Sequence, residues 1–139
     1  MHRQRYYELL QHVRDTGDWE AWVSFFLEGV LETATEAIQT ARQLIALFET
    51  DREKVAQLGR PAASALRVHE LLQKRPLLSI PAATKELSLS EPTIAKAMEH
   101  LAKLGIARET TGKRRHRIFA YIHYLDALNR GTEPFRQYN

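Results

Sequence analysis

Seven lysine and arginine side chains are concentrated in or beside one short stretch near the C-terminus, residues 108–121. Two of them flank the stretch and five lie within it: Lys103, Arg108, Lys113, Arg114, Arg115, Arg117 and Arg130. Such a cluster of ammonium and guanidinium groups binds the phosphates of a polyanion, with an affinity that falls as salt is raised. No nucleophile and base stand at a spacing that indicates catalysis, so binding is the first hypothesis.

The residues around this stretch predict a hairpin that follows a helix-turn-helix. Residues 111–112 (Thr-Gly) form a turn signal, and residues 118–122 alternate as a return strand should. Before the hairpin, Ser90 is placed to cap a helix whose apolar residues recur at helical spacing. A short helix and a tight polar turn, residues 82–90, come before that helix. This order of elements is typical of a winged helix.

A winged helix presents two surfaces to nucleic acid. The second helix of the helix-turn-helix enters the major groove, where lysine and threonine meet guanine edges or phosphates and glutamate accepts from cytosine. Its exposed residues are predicted to be Glu91, Thr93, Lys96, His100 and Lys103. The hairpin, or wing, contacts backbone phosphates, which gives affinity without sequence preference. The residues predicted for this role are Lys113, Arg114, Arg115 and Arg117.

Composition and charge narrow the class of protein. The 139 residues are 44% apolar and include no cysteine. No apolar run is long enough to span a membrane and the N-terminus lacks a signal peptide, so we expect a cytoplasmic protein without a membrane partner. Residues 1–59 carry 6 Lys/Arg against 10 Asp/Glu, whereas residues 60–139 carry 14 against 7. This asymmetry indicates two parts, of which the basic one meets an anionic partner.

The first half of the chain reads as helix almost throughout. Gly17 is expected to end a first helix in the left-handed conformation, and Asp18 to cap the next. The aromatic residues at 19, 22, 25 and 26 stand at helical spacing and are predicted to be core. A long helical pattern then continues to a boundary at Gly59-Arg60-Pro61. We therefore predict a mainly α protein with a helical part, residues 1–58, and a winged helix-turn-helix domain with a small β-hairpin wing, residues 59–139.

The order of several motifs resembles the C-terminal part of Fic family proteins. The matching segments are Tyr6-Tyr7, the Gly-Asp-Trp-Glu-Ala-Trp of residues 17–22, the Phe-Phe-Leu-Glu-Gly-Val of residues 25–30, and residues 119–128. The resemblance covers nearly the whole chain. It implies a helical extension, a long helix and a winged helix, attached in a complete protein to a catalytic domain that transfers AMP to a hydroxyl side chain.

The catalytic signature of that family, His-Pro-Phe-x-Asp/Glu-Gly-Asn-Gly-Arg, does not occur in this sequence. The family's activity therefore cannot be carried onto these residues, and we expect no enzyme activity, catalytic residue or cofactor in this chain. We interpret the chain as a fragment that begins just after the signature. The six histidines show no metal-binding spacing, so no metal site is predicted.

Two functions from different classes follow. The first is a regulatory region of a Fic-type AMP-transferase whose winged helix binds double-stranded DNA, with a role in transcription regulation. The alternative is a module that forms a homodimer or docks the catalytic Fic domain and binds no nucleic acid, since winged helices also serve as docking modules. A third interpretation, a free-standing transcription factor that senses a ligand, needs an apolar cavity among the N-terminal aromatic residues.

Overall fold

The computed structural model describes residues 3–113 and 116–130 of the chain. It divides into two compact units, residues 1–41 and 42–139. The elements in chain order are α1 (Arg3–Thr16), α2 (Glu20–Ala56), α3 (Ala62–Lys74), β1 (Leu77–Ser79), α4 (Ile80–Leu87), α5 (Glu91–Lys103), β2 (Ala107–Glu109), β3 (Ile118–Tyr121) and α6 (Ile122–Asn129). The fold is mainly α with a small antiparallel sheet, as predicted.

In the first unit, a glycine and an aspartate form the turn between α1 and α2. Gly17 adopts φ +73° at the end of α1, a conformation that costs glycine little because it has no Cβ. The Asp18 carboxylate accepts a hydrogen bond from the Glu20 backbone N–H at 3.0 Å, which caps α2. Both predictions for this turn are confirmed. The two successive helical patterns that follow form one continuous helix, α2, of 37 residues.

The aromatic residues of the first unit are less buried than predicted. Trp19 is 58% exposed and Phe26 is 52% exposed, whereas Trp22 and Phe25 are half-buried. Trp22 and Phe26 stack at a centroid distance of 5.5 Å, and Trp22 also meets the Tyr6 ring of α1 at 6.4 Å. The expectation that this cluster is core is wrong for Trp19 and Phe26, because helical spacing shows only that residues share a face and not that a neighbour covers it.

The second unit is a winged helix-turn-helix. The helices α3, α4 and α5 surround an apolar core, and a three-stranded antiparallel sheet with the order β1-β3-β2 closes it. Phe119 pairs with Leu78 on one side and with Glu109 on the other. The largest fully buried apolar side chains are Leu72, Ile94, Met98, Leu101 and Ile106. The buried face of α5 that the periodicity predicted is confirmed.

The sheet differs from the predicted two-stranded hairpin in two ways. The sequence did not predict β1, since three residues that follow Pro76 give no periodic pattern. Burial along β3 also departs from alternation, because Phe119, Ala120 and Tyr121 are all buried. The middle strand of the sheet has β1 on one edge and β2 on the other, and the chain turns into α6 directly after Tyr121. Buried and exposed residues therefore do not alternate at this end of the strand.

The turn of the helix-turn-helix is fixed by backbone geometry and by one arginine. Ser88 ends α4 in the left-handed conformation, with φ +51°. The Arg67 guanidinium of α3 donates to the Leu87 carbonyl at 2.6 Å, so it binds one of the carbonyls that a helix leaves without a partner at its C-terminus. Ser90 occupies the N-cap position of α5, as predicted, but its hydroxyl is hydrogen-bonded to the Thr93 hydroxyl at 2.8 Å and not to a backbone N–H.

A buried polar chain connects the end of α2 to the winged helix within the second unit. The Tyr121 hydroxyl donates to the Asp51 carboxylate at 2.8 Å, and Lys54 donates to the other carboxylate oxygen at 2.7 Å. Since the Tyr121 hydrogen is used in this way, its oxygen accepts from Nε2 of His69 at 3.2 Å. Asp51, His69 and Tyr121 are at most 1% exposed. A buried carboxylate is tolerated here because both of its oxygens have donors.

Burial determines the protonation states of His69 and Tyr121 in this chain of hydrogen bonds. Burial lowers the pKa of His69 below its ordinary value of 6.5, although the nearby Asp51 charge acts in the opposite direction. Burial also raises the pKa of Tyr121 far above its ordinary value of 10.0, and its hydrogen bond to Asp51 adds to this shift. A neutral His69 and a protonated Tyr121 are the forms that this chain of hydrogen bonds requires.

The structure also bears on membrane association. Among the helices of the described residues, none combines the length and the apolar character needed to cross a membrane.

Candidate nucleic-acid interface

Four of the five predicted contact residues of α5, at positions 93, 96, 100 and 103, lie along one side of that helix, whereas Glu91 is rotated by about 140° from Lys96 around the helix axis. Glu91 is its first residue and is exposed, as are Lys96 and Lys103. Thr93 and His100 are half-buried. The opposite face of α5 carries the buried residues of the core, among them Ile94 and Leu101, so packing fixes which side faces outward.

Three of these residues meet at one cleft of about 360 Å³. Thr93, Lys96 and His100 line it from α5, and its other wall is the chain just before and within the first turn of α3. The complete lining is Arg60, Pro61, Ser64, Thr93, Lys96, Ala97 and His100. None of these described lining residues is acidic, and two are permanently cationic. The cleft is therefore electropositive.

Arg60 and Ser64 are the residues of this cleft that sequence reasoning missed. The Gly59-Arg60-Pro61 boundary was visible in the sequence, but only as a break between helices. Nothing within ten residues of Arg60 indicates that it lies beside Lys96, which is 36 positions away in the chain. The position of Arg60 is set by the packing of α3 on α5 around Val68, Leu72 and Met98.

The predicted wing residues lie between β2 and β3. Lys113 is exposed, and Arg117 is half-buried with its guanidinium carbon 5.5 Å from the centroid of the Phe119 ring. This cation–π contact holds the Arg117 side chain against the sheet. Arg114 and Arg115 lie outside the described residues, and so their predicted role stays a prediction.

The turn of the wing is organised by Glu109, the last residue of β2. Its carboxylate accepts hydrogen bonds from the Thr111 hydroxyl, from the Thr111 backbone N–H at 2.8 Å, and from the Gly112 N–H at 2.9 Å. The Thr111 hydroxyl is the main cause that lowers the pKa of Glu109 below its ordinary 4.5, and the Arg117 charge contributes a smaller part. Gly112 has φ +63°, so the predicted turn residue is confirmed.

We expect Glu109→Gln to loosen this turn. A carboxamide offers one acceptor oxygen where the carboxylate offers two, so at least one donor of residues 111–112 loses its partner. Amide hydrogen exchange at Thr111 and Gly112 should become faster. Glu91→Gln, which removes an exposed carboxylate outside the wing, is the control. Unchanged exchange in Glu109→Gln would show that other contacts hold the turn.

The wild-type protein should show the same loosening in acid. Because the folded state lowers the pKa of Glu109, the stabilisation from its carboxylate is complete above pH 4.5 and is lost as the pH falls through the lower folded value. The protection factors of residues 111–112, which correct for the pH dependence of intrinsic amide exchange, should therefore fall below about pH 4.5 in the wild type and stay level in Glu109→Gln.

The described part of the chain was also searched for clusters of side chains that could bind a metal ion. No group of three or more His, Asp or Glu side chains among residues 3–113 and 116–130 stands close enough together to hold a metal ion.

The chain was also compared with models of known protein families. No family model matches it.

Proposed function

We propose that the second unit binds double-stranded DNA in a regulatory role, with α5 in the major groove and the wing on the backbone. The observation that carries this proposal is the electropositive cleft in which Lys96 and His100 of α5 meet Arg60. A cationic cleft beside the exposed face of the second helix suits a groove that is bordered by phosphates. Lys103 continues the cationic character toward the end of α5, and Lys113 adds a cation on the wing.

Base contacts would come from the N-terminal part of α5. Glu91 is the first residue of the helix, and Lys96 lies five positions further on, which is about 7.5 Å along the axis. Glu91 accepts a hydrogen bond from cytosine, whereas Lys96 binds a guanine edge or a phosphate. One helix would thus combine sequence preference near its start with electrostatic affinity further along.

A fluorescence anisotropy titration of labelled duplexes at several salt concentrations tests the proposal. We expect binding at low salt, with an affinity that falls steeply as salt is raised, because each neutralised phosphate releases counterions. A chain that binds no duplex of any sequence at low salt would overturn the proposal.

The first unit supports a second candidate function, the docking of another domain. Trp19, Phe26 and Leu31 are each more than half exposed, and a groove of about 620 Å³ runs beside Phe26 and Val30. Contiguous exposed apolar surfaces mark sites of protein interaction. The resemblance to Fic proteins supplies the occupant: a catalytic AMP-transferase domain that would pack on residues 6–30. On this proposal the chain itself is not an enzyme and supplies the helical and regulatory parts.

Light scattering separates this docking surface from the alternative in which two copies of the chain pair. If the surface belongs to another domain, the chain alone should stay monomeric at micromolar concentrations. A concentration-dependent dimer that Leu31→Glu converts to a monomer would show self-association instead. Gln39→Glu places the same charge at another exposed position of α2 and serves as the control.

A further inference from the structure

The two walls of the Arg60–Lys96 cleft come from different parts of the winged helix. Arg60 precedes α3, and Lys96 and His100 lie one turn apart on α5. Neither Arg60 nor Lys96 forms an ion pair with a described residue, and both are exposed. Two unpaired cations on opposite walls of one cleft repel each other. Such an arrangement is stabilised by an anion between them.

Two of the hydrogen-bond donors in or beside the cleft already have partners within the protein. The Ser64 hydroxyl is engaged with the Pro61 carbonyl at 3.1 Å, and the Ala62 N–H is engaged with the Gly59 carbonyl at 3.0 Å. Either hydroxyl of the Ser90–Thr93 pair can be the donor, and only Thr93 of the two lines the cleft, so this pair adds no assigned donor. The donors available to a ligand are therefore Arg60, Lys96 and His100.

We propose that this cleft binds one backbone phosphate of the DNA, held between Arg60 on one wall and Lys96 and His100 on the other. The inference rests on the DNA binding proposed above and adds a contact from outside the helix-turn-helix. Arginine presents a planar fork of N–H donors to two phosphate oxygens, and lysine adds a point charge. The described lining has no carboxylate that would repel the phosphate or compete for the cations.

The phosphate contact also sets the register of α5 in the groove. Lys96 is shared between the cleft and the exposed face of α5, so a phosphate bound there fixes the distance from the backbone to Glu91 at the helix start. Phosphate contacts of this kind position a protein on the duplex without reading sequence. Loss of Arg60 should therefore weaken binding by the same factor on every sequence.

The test compares Arg60→Gln with wild type by anisotropy titration across salt. We expect about an 8-fold loss of affinity near 0.1 M salt and a salt slope that is less steep by about 0.9, as for one phosphate contact. Lys74→Gln is the matched control, because Lys74 is exposed in the last turn of α3, roughly 20 Å from Arg60 along the helix. It should leave both quantities unchanged.

A backbone scan identifies the phosphate. Duplexes with a single neutral methylphosphonate are titrated, one position at a time. At one position the modification should weaken the wild-type protein but not Arg60→Gln, because both changes remove the same contact. If wild type binds DNA and Arg60→Gln binds it with equal affinity and slope, the inference is wrong while the proposed function stands.

A second measurement covers the case in which no duplex binds. Inorganic phosphate is titrated at neutral pH while the His100 ring signals are followed by NMR. If the protein binds no duplex, the proposed DNA binding and the assignment of the cleft to a DNA backbone phosphate are both wrong. Perturbation of His100 by free phosphate that is lost in Arg60→Gln would then assign the cleft to a soluble phosphate compound, and no perturbation would show that the cleft binds no phosphate.

Discussion

Tyr121→Phe is expected to lower the free energy of unfolding by about 2–3 kcal/mol, since hydrogen bonds to charged groups contribute about 1.5–3 kcal/mol each. The substitution removes one oxygen and keeps the ring that packs against Phe48 and Tyr124. It leaves the buried Asp51 carboxylate with Lys54 as its remaining donor, and it leaves the His69 N–H without its acceptor. Unsatisfied buried groups of this kind are destabilising because no water replaces the lost partner.

Urea unfolding measures this loss, with an unchanged dependence on urea as the sign that both states keep their compactness. Tyr124→Phe is the matched control. It removes the same atom from a half-buried ring whose hydroxyl has no hydrogen-bond partner among the described residues. The control should change stability by less than about 0.5 kcal/mol. If Tyr121→Phe were equally mild, the hydroxyl–carboxylate bond would contribute nothing to the fold.

A double-mutant cycle with Asp51→Ala isolates the pair. With the carboxylate absent, the loss caused by Tyr121→Phe should shrink substantially, because the hydroxyl no longer has its charged acceptor. An undiminished loss would mean that the contact with His69, and not with Asp51, is the important one. The result would also show how firmly the last turns of α2 are attached to the winged helix, since Asp51 lies in α2.

The second large effect is expected in DNA binding. The double substitution Lys96→Gln/Lys113→Gln removes one cation from α5 and one from the wing. Two lost phosphate contacts should reduce affinity ~60-fold at 0.1 M salt, because each contact contributes about 0.9 to the logarithmic salt slope. The slope itself should become less steep by about 1.8. Both side chains are exposed and contribute little to the core, so folding should be unaffected.

The control for this experiment removes two cations from elsewhere. Arg42→Gln/Lys74→Gln changes net charge by the same amount at exposed positions outside the proposed interface. If this control weakened binding as much as the Lys96/Lys113 variant, the affinity would arise from net charge alone. The cations of α5 and the wing would then contribute no more to binding than other exposed cations. A loss in only one of the single variants would assign the contact to α5 or to the wing.

The sequence predicted local features of the fold well. The break at Gly17-Asp18, the turn at Gly112 and the buried face of α5 were all visible in it. Each depends on backbone preferences or on periodicity within a few residues, so the residues themselves carry the signal. The winged-helix order of elements followed from several such local signals in sequence. The resemblance to Fic proteins and the DNA-binding role remain proposals.

Other features depended on tertiary structure. The Tyr121–Asp51 hydrogen bond joins residues 70 positions apart, and the cleft joins Arg60 to Lys96 across the packing of α3 on α5. Arg67, a basic residue with no special signal, proves to bind the end of α4. The exposure of Trp19 was likewise not readable from spacing. The sequence by itself determined which residues share a helix face or a turn, because those relations are short-range. Only the tertiary structure decided which faces are covered and which distant side chains meet, since that depends on how the elements pack.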